Sequence, residues 1–454
     1  MNESVPHTQA VRSVTICLAV FVAGAVMNAV GPATVWAQSN PDRATVPTQE
    51  FVDQLIKRLS SDKLADREDA ARQLATSGPA IIPLLPADRD IPDAQTRSTL
   101  RLIRQLLWKQ KAVESIEASV ISTSEGRTVG QFIESLKESG NSFEVDLSKS
   151  ALDQLLTLPG KTEPKRSFWE AVSLLEQHAP VALQIGGNRP SLRLVTTNAR
   201  RSVLHSTGPF RIEVTSVGVR DVIGREDVQL IRIEFSLMTE PRLRPLFLSR
   251  NGQSLAVTYE GRTAKPFSPS ASIELPLGQR GVHVEFHSDF LIPKGRAPKK
   301  IDVQGEWRMQ LSGGREPFRF ELSEAAAGAR RRRAGVTVGL EQVARGSDKR
   351  GQTVDVVMSI SYRESGRAFE SHRNWLGKND IRLEDKASGT VSAERMDIEL
   401  QVDGSAWVRY RFRPQELQPV AVVYVAPTLI SETVIPVRFK GLTIGVGSSD
   451  GAGL

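Results

Sequence analysis

The spacing of hydrophobic residues changes twice along the 454-residue chain, and each change predicts a different kind of structure. From 48 to 113, apolar residues recur three and four positions apart, as Leu55 and Leu59 do, which predicts amphipathic helices. From 114 to 197 this spacing alternates with short runs that are typical of strands. From 208 to 445, apolar and polar residues alternate in one run after another, which predicts strands with one buried face.

Two consecutive stretches of the helical segment carry a recognisable order of residues. Ala65 to Leu74 places charged residues around an Ala-Ala-x-x-Leu stripe, and Gly78 to Leu85 follows with a Gly-Pro break and paired aliphatic residues. The segment 48–113 resembles a HEAT repeat, of which it covers about one and a half units. Because a solenoid needs about three stacked repeats to bury a continuous core, the resemblance implies a small helical domain that packs on itself or on a neighbour.

The segment 114–197 alternates helices and strands. The predicted elements are a helix from Thr128, a strand at Phe143 to Leu147, a helix opened by the capping box Ser167 to Glu170, and a closing hairpin of Val181 to Ile185 with Leu192 to Val195. This order resembles the short N-terminal domain of secretins and TonB-dependent receptors. The resemblance implies a βαβ-type module of the periplasm that contacts protein partners, often through sheet edges. Since no transmembrane-barrel or secretin-pore sequence follows, it does not imply transport.

Two stretches of alternating strands follow, at 208–323 and 335–445, and a linker that contains His205 precedes the first of them. Clusters of Gly, Pro and Asn separate the strands, as in a sandwich of antiparallel sheets. A basic linker is predicted at 324–334, and a tail at 446–454. The predicted fold class is therefore α+β and mainly β, with a small helical domain, a βαβ-type module and two tandem antiparallel β-sandwich domains.

The first 37 residues have the layout of a secretory signal peptide. Arg12 precedes an apolar run from Val14 to Val30, and small or β-branched residues precede a cleavage site ahead of Gln38. The sequence therefore predicts a signal peptide at 1–37, a linker at 38–47, and export to the periplasm or the cell exterior. An uncleaved N-terminal helix that anchors the chain in the membrane is the alternative.

Charge and cysteine content narrow the class of partner. The only cysteine, Cys17, lies in the leader, so the mature chain would contain neither a disulfide nor a thiolate metal site. The formal net charge is +7, which suggests attraction to anionic surfaces such as lipid headgroups or acidic polysaccharide, but interspersed basic and acidic residues favour an ordinary mixed, solvated surface, and export argues against nucleic acid as a partner. The strongest run of charge is Arg330, Arg331, Arg332 and Arg333, whose mutual repulsion would keep the predicted linker extended; contact with an anion, such as a membrane surface, is the other interpretation.

His283, Glu285 and His287 are the candidate metal ligands. Side chains alternate along a strand, so these three share one face while Val284 and Phe286 point into the core. Two imidazoles and a carboxylate are suitable ligands for zinc or iron. Residues two apart on one face lie about 7 Å from each other, however, so the solvent-facing side of an ordinary strand is the competing interpretation.

The sequence contains neither H-E-x-x-H nor G-x-x-x-x-G-K-[ST], which mark zinc-dependent and phosphate-binding sites. The order of segments is similar to that of uncharacterised secreted multi-domain bacterial proteins, a group that implies no particular activity. We therefore expect an exported, non-catalytic protein of the cell envelope, without a cofactor, whose β-rich domains bind another protein or the cell wall. A metal-dependent hydrolase that uses His283, Glu285 and His287 is the alternative.

Overall fold

The computed structural model describes residues 47–123, 126–158, 165–185, 192–197, 203–277, 282–295, 297–362, 375, 379–386, 389–414 and 418–445. The predicted signal peptide, the predicted tail and all but the last residue of the predicted linker at 38–47 lie outside the described residues. Within the described ranges, no helix is both long and apolar enough to cross a membrane.

The helical segment packs around a small core of its own. Its helices are α1 Gln49–Leu59, α2 Leu64–Thr76 and α3 Ala94–Ser115, with short 3-10 helices at Pro79–Leu84 and Asp88–Asp90 between the last two. Val52, Leu55 and Leu59 line the buried face of α1, as the three- and four-residue spacing predicts. Asp93 begins α3, because its carboxylate accepts a hydrogen bond from the Thr96 N–H at 2.6 Å.

The α/β module that follows contains two small sheets. Its elements are β1 Val120–Ser122, α4 Val129–Glu138, β2 Glu144–Asp146, α5 Lys149–Leu152, β3 Lys165–Ser167, α6 Phe168–His178, β4 Val181–Ile185 and β5 Leu192–Thr196. Strand β5 pairs with β2 in parallel and with β4 antiparallel, while β1 and β3 form a separate antiparallel pair. Capping boxes at Thr128 and Ser167 begin α4 and α6.

Antiparallel sheets make up the rest of the chain. The strands are β6 Val203–Thr207, β7 Phe210–Val222, β8 Arg225–Thr239, β9 Arg244–Asn251, β10 Leu255–Tyr259, β11 Arg262–Thr263, β12 Lys265–Pro266, β13 Ser272–Pro276, β14 His283–Pro293, β15 Lys300–Glu321, β16 Ala329–Arg333, β17 Val336–Asp348, β18 Gly351–Tyr362, β19 Asp380–Asp385, β20 Thr390–Ser392, β21 Arg395–Val402, β22 Ser405–Phe412 and β23 Pro419–Thr443. The prediction of an α+β, mainly β fold is confirmed.

These strands form three sheets, and the central one serves both sandwiches. The central sheet has the order β11-β10-β15-β23-β19-β20, with β9 also pairing with β15 and β13 with β9. One flanking sheet has the order β12-β14-β8-β7-β6, and the other has the order β16-β17-β18-β22-β21. Each flanking sheet packs on a different half of the central sheet and thereby encloses a core.

The two cores exchange strands, which the predicted boundaries 208–323 and 335–445 do not anticipate. Strand β15 is 22 residues long and β23 is 25, and they pair antiparallel along almost their whole length. Phe439, near the C-terminal end of β23, is therefore buried in the first core, and Phe320, near the end of β15, is buried in the second. Since antiparallel strands run in opposite directions, each strand begins in one sandwich and ends in the other.

Buried polar side chains tie the α/β module to the first sandwich. Arg211 of β7 donates two hydrogen bonds to the carboxylate of Glu176 in α6, at 3.1 and 2.8 Å, and both side chains are almost fully buried. The carboxylate of Glu240 is also buried and accepts hydrogen bonds from Ser119 Oγ at 2.6 Å and Arg242 Nε at 2.7 Å. Because buried charges are stable only when paired, these contacts fix how the two parts dock.

Candidate functional site

The three predicted metal ligands share the outer face of β14, as side-chain alternation requires, but they do not converge. His283 Nε2 lies 3.5 Å from Glu285 Oε1, whereas His287 Nε2 lies 3.7 Å from Asp289 Oδ2. Asp289 is itself held by two hydrogen bonds from Arg232, at 2.8 and 2.7 Å. Among the residues that the structure describes, no group of three or more His, Cys, Asp or Glu side chains could hold a metal ion. The predicted metal ligands thus belong to two separate pairs along β14, His283 with Glu285 and His287 with Asp289.

The arginine run lies in a strand, which differs from the predicted linker at 324–334. Ala329–Arg333 forms β16, the outermost strand of its sheet, and it pairs with β17 without interruption over five residues. The turn between the two strands explains the difference. Ala334 and Gly335 both have positive φ values, of 45° and 82°, as a tight two-residue hairpin requires. We call Arg330, Arg331, Arg332 and Arg333 the arginine edge.

The register with β17 assigns each arginine to a face of the sheet. Arg331 and Arg333 stand opposite the buried Val338 and Val336, so they lie on the side that faces the core. Arg330 and Arg332 alternate with them and lie on the outer face. The arginine edge therefore presents guanidinium groups on both faces of one exposed strand.

Two guanidinium groups of the arginine edge, those of Arg331 and Arg333, contact groups other than carboxylates. Arg331 lies over the ring of Phe320, 5.4 Å from its centroid, and Arg333 Nη1 donates to the carbonyl of Pro317 at 3.2 Å. Neither of these two makes an ion pair with a described residue. Arg330 lies 3.2 Å from Glu341 Oε1, but its side chain is 63% exposed.

Three other arginines of the same sheet are paired with carboxylates on their own or a neighbouring strand, whereas Arg345 of β17 donates to the carbonyl of Leu322 at 3.3 Å. The pairs and their distances are Arg395–Asp397 at 2.9 Å, Arg409–Glu399 at 2.7 Å and Arg411–Asp355 at 2.8 Å, and Arg413, directly after β22, lies 2.7 Å from Asp348 at the end of β17. Arg411 holds the pKa of the Asp355 carboxyl below its ordinary value, and Arg413 does the same for Asp348. The arginines of β21 and β22 thus face carboxylates, whereas Arg331 and Arg333 of the edge strand β16 do not.

Strand β16 also offers main-chain groups to a partner. Only one of its edges is paired with a described strand, so the other presents N–H and C=O groups. The strand at the opposite side of the sheet, β21, has a bulge between Ile398 and Leu400 that interrupts its ladder. A regular ladder and a row of cations make β16 the better template for an extended acidic segment. The sequence revealed the cations, but nothing in it indicated the strand.

No protein-family model, curated protein or solved structure matches this chain. The resemblances of 48–113 to HEAT repeats and of 114–197 to the short N-terminal domain of secretins therefore stay predictions.

Proposed function

We propose that this chain is an exported, non-catalytic protein of the cell envelope that binds an acidic, extended segment of another protein along the arginine edge. The observation that carries the proposal is the contrast within one sheet. Arg331 and Arg333 contact a ring and a carbonyl group, while the arginines of β21 and β22 face carboxylates. A partner that supplies carboxylates would give Arg331 and Arg333 the pairing that the arginines of β21 and β22 have within the chain.

A protein segment suits the arginine edge better than a cell-wall polymer does. An added strand would form main-chain hydrogen bonds with β16, and its alternating side chains would meet the guanidinium groups on both faces. A polysaccharide has no amide ladder and could use only the charges. The location outside the cytoplasm is supported by the apolar leader at 1–37.

The test is binding of the full chain to a labelled peptide of alternating Glu and Val, measured by fluorescence anisotropy. We expect binding that weakens as salt concentration rises, because screening reduces the attraction between exposed charges. A Lys/Val peptide should not bind. The double substitution Arg331→Gln with Arg333→Gln should weaken binding of the acidic peptide about tenfold or more, since it removes two charge-assisted contacts.

The matched control is Arg262→Gln with Lys265→Gln, which removes the same charge from exposed positions on other edge strands. It should leave the affinity for the Glu/Val peptide unchanged. A Glu/Val peptide with alternate amides N-methylated should bind less tightly, because it cannot complete the ladder. If the methylated peptide, or polygalacturonate of the same charge, binds as tightly as the unmodified Glu/Val peptide, the arginine edge recognises only negative charge, and the proposal is contradicted.

A further inference from the structure

A polar groove lies on the first sandwich, away from the arginine edge. It has a volume of about 560 Å³ and is formed where the outermost strand β6 lies beside the C-terminal half of β23. Its walls include His205 and Thr207 from β6, Gln304 from β15 and Arg438 from β23. Gln253 and Ser254, which precede β10, complete the rim. We call this the polar groove after these polar side chains, although apolar atoms, including those of Ala256, Pro436 and Val437, form most of its surface. Its volume is in the range of small-molecule sites.

The backbone around the polar groove explains why the sandwich is open there. Within the described residues, this half of β23 pairs only with β15, and Pro436 on its other edge has no N–H to donate to a further strand. His205 spans the gap instead, because its ring packs edge-on against that of Phe439, with 5.8 Å between the ring centroids. On the far side, a Cβ at Gly305 would lie 2.1 Å from the carbonyl oxygen of Ser254, so this close approach requires glycine.

The side chains of the polar groove favour an anionic ligand. Arg438 and Gln304 are direct cross-strand neighbours, and both are exposed. None of the described residues that line the groove is acidic. The nearest carboxylates on β15 lie outside the lining: Asp302 accepts the Gly441 N–H at 2.7 Å, and the exposed Glu306 lies 4.0 Å from Arg308.

The neutral polar groups add a second requirement. The amides of Gln253 and Gln304 and the hydroxyl of Thr207 can each donate and accept hydrogen bonds. Burial and the nearby Arg438 lower the pKa of His205, which favours the neutral ring, and the unprotonated nitrogen of that ring can accept a hydrogen bond. A ligand that fits must therefore carry hydroxyl or amide groups beside its charge.

We propose that the polar groove binds a small carboxylate-bearing ligand, with the carboxylate on Arg438 and an adjacent hydroxyl or amide group on Gln304. Two sources share this chemistry, a uronic-acid saccharide and the free C-terminus of a peptide. The site is independent of the arginine edge in both position and ligand size.

The test is isothermal titration of the full chain with digalacturonate and with N-acetyl-alanyl-alanine. We expect millimolar or tighter binding of at least one of them, and the one that binds identifies the source. Its neutral counterpart, digalactose or the C-terminal amide of the dipeptide, should bind at least about tenfold more weakly. Arg438→Gln should weaken binding of the acid about tenfold to a hundredfold, and Arg438→Lys should restore part of it.

Arg262→Gln is the matched control, because Arg262 is an exposed arginine of the same sheet outside the groove. It should bind the acid as the unmodified chain does, and so should Arg331→Gln with Arg333→Gln, which separates this proposal from the proposed function. The inference is overturned if neither acid binds at millimolar concentration, if the neutral counterpart binds equally well, or if Arg438→Gln has no effect.

Discussion

The ion pair between Glu176 and Arg211 gives the sharpest test of how the α/β module is held on the first sandwich. Their side chains are only 2% and 6% exposed, and two hydrogen bonds join them. Glu176 Oε1 also accepts the Leu183 N–H at 3.0 Å, and Arg211 lies 5.6 Å from the ring centroid of Trp169. Arg211→Met would therefore leave a buried carboxylate with a single remaining donor.

The size of the effect follows from that burial. Removing one partner of a buried ion pair costs about 3–5 kcal/mol, because the other charge stays in a nonpolar surrounding without compensation. Replacing both residues, as in Glu176→Met with Arg211→Met, removes the stranded charge and should cost far less than the sum of the single substitutions. We therefore expect a coupling free energy of about 3 kcal/mol or more in a double-mutant cycle.

Native-state hydrogen exchange is the suitable assay, since a chain with several cores does not unfold in one step. The exchange of the Leu183 amide and of the amides of β4 reports the local free energy of opening in each of the four proteins. The reasoning is refuted if the loss of stability in the double variant equals the sum of the losses in the two single variants. The two charges would then be stabilised separately, for example by water.

Three further predictions concern the strands and their surface pairs. Phe439→Ala should destabilise the first sandwich by about 3–5 kcal/mol, seen as faster hydrogen exchange in β8 and β14 rather than in β18 and β22. Gly305→Ala should lower the melting temperature, because the new Cβ meets the Ser254 carbonyl oxygen and the residue has a φ of 155°, a conformation that costs about 1–3 kcal/mol for other residues. Asp355→Asn should reduce the loss of stability on acidification, because Arg411 lowers the pKa of the Asp355 carboxyl in the folded protein. The carboxylate therefore stabilises the fold at pH values above the ordinary aspartate pKa of about 3.9, and this stabilisation is lost as the pH falls through the lowered pKa. For a partly exposed pair it amounts to about 1 kcal/mol or less.

Each of these three has a matched control within the chain. Tyr410→Ala truncates an aromatic side chain of the second core and should accelerate exchange in β18 and β22 instead. Gly218→Ala adds a Cβ that meets nothing within 4 Å, so its melting temperature should hardly change. Asp227→Asn removes an exposed carboxylate 3.9 Å from Arg225 and should leave the acid slope as it is.

Alternation of apolar and polar residues predicted the strands well, but it could not predict their partners. The alternation from Phe210 to Val214 lies within β7, and its apolar residues are buried as predicted, while Arg211 between them is buried as well, through its pairing with Glu176. A period of two tells which face of a strand is buried, whereas the partner depends on packing between distant segments. Nothing local links β15 to β23, which begins almost a hundred residues after β15 ends. For the same reason the predicted boundaries separate residues that share a core.

The candidate sites were predictable to different degrees. The four arginines of the arginine edge were visible in the sequence. The hairpin that places them in β16, however, requires the left-handed backbone conformation of Ala334, which the sequence pattern does not predict. The polar groove was not visible at all. His205 was predicted in a linker but lies in β6, and it meets Arg438 only because the two sheets come together there. The residues that line the groove come from strands far apart in the sequence, so they form no continuous sequence motif.

The continuity of β15 and β23 determines what a cut in the connecting segment would do. A protease that nicked the chain between Leu322 and Gly328 would release no autonomous half, because each fragment would keep one long strand that the other fragment needs. The two fragments should stay associated until a denaturant separates them, because β15 and β23 remain paired along almost their whole length. Neither sandwich could be transplanted alone into another protein by dividing the gene at that point.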